Sequence, residues 1–121
     1  EVMAKNSEAK KYLRESIQMS QQIHFYEALA WSMEIWALVS INEGHYIHAV
    51  TLMGAVDHLR ETTQLPVWDD LHAIILDANM QLHKLLGDET FTHAWDQGVN
   101  MSLDRMLEYA MEEEVGEGIA A

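Results

Sequence analysis

Apolar side chains recur at intervals of three and four residues through most of this 121-residue chain. That spacing gathers them on one face of an α-helix, whereas a half-buried β-strand needs strict alternation, which no segment shows. Residues that break helices are scarce, since the chain contains six glycines and a single proline, Pro66. The pattern therefore predicts an all-α fold of about six helices joined by short connectors.

Glycine, proline and capping residues mark where each predicted helix begins and ends. Gly44, Gly87 and Gly98 are natural stops, and Ser102 is a good N-terminal cap. The predicted helices cover residues 7–22, 26–42, 46–62, 69–86 and 88–98, with a sixth that begins at Ser102.

Two of the predicted helices differ in how much of their surface is apolar. The second is apolar on nearly every side, which is typical of a central helix packed between neighbours. The fourth instead carries one stripe and should bury a single face. That stripe consists of Leu71, Ile74, Ile75, Ala78, Leu82, Leu85 and Leu86.

The turn before the third predicted helix has the form Gly-x-Tyr-x-x-Ala, from Gly44 to Ala49. It resembles the turn of a tetratricopeptide repeat (TPR), in which glycine ends one helix and an aromatic and a small residue begin the next. The first predicted helix repeats the pattern of the third: Ala9, Leu13 and Ser16 correspond to Ala49, Met53 and Val56. The pattern favours one TPR-like domain, residues 1–111, that starts in the middle of a repeat. A generic helical bundle is the alternative.

The C-terminal third carries a more specific pattern, Phe-x-x-Ala-Trp-x-x-Gly followed by Met-Ser-Leu. Its residues are Phe91, Ala94, Trp95, Gly98 and Met101 to Leu103. This closely resembles the end of the TPR-like regions in bacterial multidomain signal-transducing ATPases and in LuxR-type (MalT-like) transcriptional regulators. The resemblance extends from Ala28 to Ala110 and departs at Met106 and Leu107, where small residues are common in the family.

The resemblance implies an antiparallel array of helical hairpins that ends in a short capping pair of helices. Phe91 and Trp95, four residues apart, would hold that cap by burying their rings on one face. The family's role would then be protein interaction or effector sensing inside a larger regulatory protein. No Gly-x-x-x-x-Gly-Lys-(Ser/Thr) segment is present, so neither ATP hydrolysis nor DNA binding is carried over to these residues.

Charge disfavours two classes of partner. The formal net charge is −13, and only seven residues are Lys or Arg. Such a surface repels nucleic acid and anionic membranes. No apolar run approaches the roughly 18 residues that span a bilayer. The absence of cysteine fits a reducing compartment, so we expect a cytoplasmic protein.

Catalysis and metal binding find little support in the residue spacing. His45 and His48 lie three residues apart, but Glu-x-x-His and His-Glu-x-x-His are both absent. Most of the seven histidines fall on polar faces, where solvation is the simplest interpretation. The chain has no Gly-x-Ser-x-Gly elbow and no Cys–His pair. We therefore expect no enzyme activity, no cofactor and no native metal site. A bundle that binds metal through His and carboxylate side chains is an alternative.

The remaining candidates for binding are aromatic and acidic side chains. We expect Tyr26, Trp31, Glu34 and Trp68 to line a groove that takes a protein segment or a small effector. A purely structural segment that caps and dimerises a longer protein is the other alternative. The predicted first helix lacks a preceding partner, so we expect a homodimer through the N-terminal end. The acidic, Gly/Ala-rich stretch 112–121 is expected to be disordered.

Overall fold

The computed structural model describes residues 2–65 and 69–112. These residues form six helices and no strand, which confirms the predicted all-α fold. The helices are α1 (Val2–Gln22), α2 (Tyr26–Asn42), α3 (Tyr46–Thr63), α4 (Asp69–Leu86), α5 (Asp88–Val99) and α6 (Leu103–Ala110). Pro66 to Trp68 and most of the predicted tail, 113–121, lie outside the described residues.

The helix ends follow the predicted stops, with one exception. Gly44 and Gly87 have φ values of 84° and 85°, which glycine adopts without steric cost. Ser102 caps α6, because its side chain accepts a hydrogen bond from the backbone N–H of Arg105 at 3.2 Å. Gly98, however, does not end α5, which runs on to Val99. The prediction of a stop there was wrong.

Helix α3 is the most enclosed element of the fold. It packs closely against α2 on one side and α5 on the other, and it also contacts α6 and α4. Every residue from His48 to Val56 is buried. The predicted central helix, α2, does lie between neighbours, α1 and α3. The greater burial of α3 follows from its small residues, Ala49, Gly54 and Ala55, which allow other helices to approach closely.

Each helix contributes a glycine to the crossing of α3 and α5, and each glycine faces the backbone of the other helix. A Cβ atom added at Gly98 would lie 1.9 Å from the carbonyl oxygen of Thr51, and one added at Gly54 would lie 2.4 Å from the carbonyl oxygen of Trp95. Both distances are far below van der Waals contact, so the two backbones touch directly. The requirement for this approach explains why glycine occupies position 98 inside a helix.

Helices α1 and α2 run antiparallel and join through an interface that is partly polar. Leu13 and Ile17 supply its buried apolar side chains. Three side-chain pairs cross it: Asn42 donates to Asn6 at 3.2 Å, Lys10 donates to Glu43 at 2.5 Å, and the Ser16 and Ser32 hydroxyls lie 2.8 Å apart. The pairing of early α1 residues with late α2 residues establishes the antiparallel direction.

Helix α4 lies at the rim and is attached along a narrow strip. Its buried apolar residues are Ile75 and Leu82, whereas Ile74 and Leu85 are exposed by 53% and 61%. The predicted burial of those last two residues was wrong. Because α5 occupies the face of α3 that α4 would otherwise cover, α4 contacts α3 and α5 only lightly.

Candidate functional site

A cleft of about 520 Å³ opens where α4 stands away from α3. Side chains from α2, α3, α4 and α5 line it. Its polar lining consists of Glu34, Asp57, Arg60, Glu61, His72 and Asn79. Its apolar lining consists of Met53, Leu65, Ile75, Leu76 and Trp95. We call this space the α4 cleft.

A buried ion pair forms part of the polar lining. Arg60 Nη2 on α3 donates to Glu34 Oε1 on α2 at 2.5 Å, and each side chain is only 11% exposed. Burying either charge alone would be costly, so each requires the other. The sequence contained a signal for this pair: Glu34 interrupts an apolar helix, and Arg60 is the only Lys or Arg between residues 15 and 83.

Two carboxylates accompany this pair on α3. Asp57 and Glu61 lie one helical turn apart, are exposed, and line the same cleft. Neither has an ion-pair partner within the described residues. Arg60 pairs with Glu34, so in the part of the chain that the structure describes the formal charges of Asp57 and Glu61 are not balanced by an ion pair.

The α4 cleft continues into a second cavity of about 350 Å³ between α4 and α5. Leu76, Asn79 and Trp95 line both spaces, and Met80, His83 and Phe91 extend the second. From His72 to His83 the combined groove follows about 16 Å of α4, at 1.5 Å per residue.

Stacked rings connect α4 to α5 beside this groove. The Phe91 ring lies 4.6 Å from the His83 ring and 5.9 Å from the Trp95 ring, and both pairs are stacked. A hydrogen bond joins His83 Nε2 to Asp88 Oδ1. Phe91 and Trp95, the predicted capping residues, are half-buried and pack against the core.

The structure does not bring the predicted groove residues together. Tyr26 is half-buried against the core. Trp31 is 41% exposed and lines a separate apolar cavity with Phe25. Among the residues predicted for the groove, Glu34 alone lines the α4 cleft, and Trp68 lies outside the described residues. The separation has a geometric cause, because Tyr26 and Trp31 lie about 140° apart around α2.

The histidines are more varied than predicted. Four of the seven are exposed, namely His24, His72, His83 and His93. In contrast, His48 is 3% exposed and its ring stacks on that of Tyr109 at 4.5 Å. Across 2–65 and 69–112, no three His, Asp or Glu side chains converge as metal ligands would.

Large apolar side chains are exposed at the opposite end of the array from α5. Tyr12 and Met19 lie on one face of α1, Ile23 and Phe25 lie on the connector, and Trp31 follows on α2. Their exposed fractions range from 41% to 66%. We call these five residues the N-terminal apolar surface. None of the described helices combines the length and the hydropathy that crossing a membrane requires.

Comparison with known proteins finds similarity to regulators of two mycobacteria. Over 92 residues the chain is 30% identical to proteins of Mycobacterium tuberculosis and Mycobacterium bovis that are named as candidate HTH-type transcriptional regulators. The match covers 74% of this chain and 10% of each relative, so the chain spans about a tenth of the length of the curated relatives it matches. No family model and no solved structure matches the chain.

Proposed function

We propose that this chain is a TPR-like recognition module of a larger bacterial transcriptional regulator, of the LuxR-type (MalT-like) class that the sequence resembles. It acts by binding rather than by catalysis, works in the cytoplasm, and contacts no nucleic acid itself. The similarity to proteins named as transcriptional regulators supports the regulatory setting. The α4 cleft, which combines apolar walls with a buried ion pair, is the observation that supports binding.

A protein segment suits this cleft better than a compact effector. The groove along α4 extends about 16 Å, which matches about five residues of an extended chain at 3.3 Å each. Exposed apolar side chains accompany it, including Leu76 at 49% and Met80 at 63%. Covering such side chains with a partner removes apolar surface from water and so stabilises the complex.

A peptide selection tests this proposal. Random peptides displayed on phage are selected against the full chain, and the affinity of enriched peptides is measured for two matched variants. Leu76→Gln alters the cleft, whereas Leu85→Gln alters an exposed leucine on the same helix away from it. We expect Leu76→Gln to weaken binding about tenfold, through lost apolar contact, and Leu85→Gln to leave it unchanged. The absence of enriched peptides, or equal binding by both variants, would refute the proposal.

A second role, self-association, is favoured by the N-terminal apolar surface. We propose that a second copy of this chain covers it. Besides Lys10, which pairs with Glu43, helix α1 carries Lys5, Lys11 and Arg14, while the chain as a whole has a net charge of −13. A second copy therefore offers acidic surface to a basic helix.

Sedimentation equilibrium tests this self-association. We expect a concentration-dependent dimer that Met19→Lys weakens, since the new charge lies inside the apolar surface. Met80→Lys, an equally exposed methionine on α4, is the matched control and should leave the dimer intact. A chain that stays monomeric at high concentration would contradict this role.

A further inference from the structure

The polar end of the α4 cleft carries two carboxylates, Asp57 and Glu61, that have no ion-pair partner among the described residues. Arg60 is held by Glu34 at 2.5 Å, at a site where both side chains are 11% exposed. Within residues 2–65 and 69–112, no ion pair joins it to Asp57 or Glu61, its neighbours on α3. Of the residues that the structure describes along this cavity, His72 on α4 is the one other basic side chain, and it is exposed. A bound group that brought positive charge here would complement Asp57 and Glu61.

A hydrogen-bond acceptor lies farther along the same cleft. The Asn79 Oδ1 atom is buried and has no hydrogen-bond partner in the described part of the chain. A buried acceptor without a donor carries a desolvation cost that a ligand N–H group would relieve. Asn79 lines both cavities, so its side chain lies where the two spaces share lining residues.

Apolar and aromatic side chains form the rest of the surface that an occupant of the cleft would contact. Leu76 and Trp95 line the cleft together with the carboxylates and Asn79. An occupant must therefore carry a cationic head with several donors on an apolar stem. Arginine meets this description better than lysine, because its planar guanidinium offers five N–H donors and packs well on aromatic rings.

We infer that the α4 cleft recognises an arginine side chain of the bound protein segment. Its guanidinium donates to Asp57 and Glu61, and Asn79 supplies a further acceptor for the segment's N–H groups. Its stem packs on Leu76 and Trp95. This inference rests on the proposed function, because it specifies the chemistry of the segment that the cleft binds.

The test uses two double variants with the same change in charge. Asp57→Asn with Glu61→Gln removes both carboxylates from the cleft. Asp104→Asn with Glu108→Gln removes a matched exposed pair, also one turn apart, from α6. All four positions are exposed, so both double variants should fold, which circular dichroism verifies. Peptides selected on the natural chain are then remade with each arginine replaced by lysine or by glutamine.

We expect the selected peptides to share an arginine whose replacement by glutamine weakens binding at least about tenfold, as for lost charge-assisted hydrogen bonds. Peptides in which lysine replaces this arginine should bind with an affinity between those of the arginine and glutamine peptides. The α3 double variant should bind the arginine and glutamine peptides equally, whereas the α6 variant should still prefer arginine. Peptides that bind the cleft without needing arginine, or an unchanged preference in the α3 variant, would overturn this inference but leave the proposed function standing. A selection that yields no cleft-binding peptide would overturn both.

Discussion

A single methyl group at position 98 should loosen the crossing of α3 and α5. The added Cβ of Gly98→Ala would lie 1.9 Å from the Thr51 carbonyl oxygen and 2.8 Å from the Ala55 backbone nitrogen. Both atoms belong to the backbone, so no rotation of a side chain relieves the contact. The helices must instead separate by roughly 1.5 Å to restore ordinary van der Waals distance.

The size of the effect follows from two opposing contributions. Overpacking a close-packed interior costs about 1–3 kcal/mol, and at times more. Replacing glycine by alanine inside a helix by itself stabilises the folded state by about 1 kcal/mol or less. Because relief requires a shift of backbone along the tightest helix contact in the fold, we place the cost at the upper end. The expected net loss is about 2 kcal/mol in the free energy of unfolding.

Urea unfolding followed by circular dichroism measures this loss. Gln97→Ala, at the exposed neighbouring position, is the matched control and should change stability by no more than about 0.5 kcal/mol. Gly54→Ala should also destabilise, since its Cβ would lie 2.4 Å from the Trp95 carbonyl oxygen. The two changes separate the same helices, so together they should cost less than their sum. If Gly98→Ala were as stable as the natural chain, the direct backbone contact would be refuted.

Three further changes test the cleft and its surroundings. Glu34→Ala should cost about 3 kcal/mol in urea unfolding, because it leaves the Arg60 charge buried without its carboxylate. Phe91→Ala removes the ring that stacks on His83, and should speed amide hydrogen exchange in α4 while exchange in the core of α3 stays slow. Ser102→Ala removes the cap of α6 and should cost about 1 kcal/mol in thermal or urea unfolding.

Each of these has a control and a contrary result. Replacing both Glu34 and Arg60 by methionine should restore most of the stability lost in Glu34→Ala, and failure to do so would show that the pair contributes more than charge compensation. Uniform exchange across α3 and α4 after Phe91→Ala would contradict a local role for the stacked rings. Unchanged stability after Ser102→Ala would contradict the capping role of Ser102. The control for this change is Ser7→Ala, at an exposed position of α1.

Local pattern was sufficient to locate the helices. Helices α2 and α4 have the predicted bounds, because apolar periodicity and the glycine stops act within a few residues of each end. Helix α1 is longer than predicted and begins at Val2. Residues 2–6 contain no glycine or proline, so nothing in them interrupts the helix.

The candidate site needed more than pattern. Glu34 was predicted to line a groove, whereas its partner Arg60 lies 26 residues away on another helix and was not predicted. The predicted apolar stripe of α4 is present in the sequence, but it is not buried throughout, since Ile74 and Leu85 remain exposed. Periodicity defines which residues share a face, but it does not specify which neighbour covers that face.

Short-range sequence pattern therefore determines the all-α class, the number of helices and most of the helix ends. The pairing of helices was decided only by packing in three dimensions. Backbone contact through Gly54 and Gly98 places α5, rather than α4, against α3. That choice displaces α4 to the rim and opens the cleft, because one face of α3 cannot accommodate both helices at contact distance.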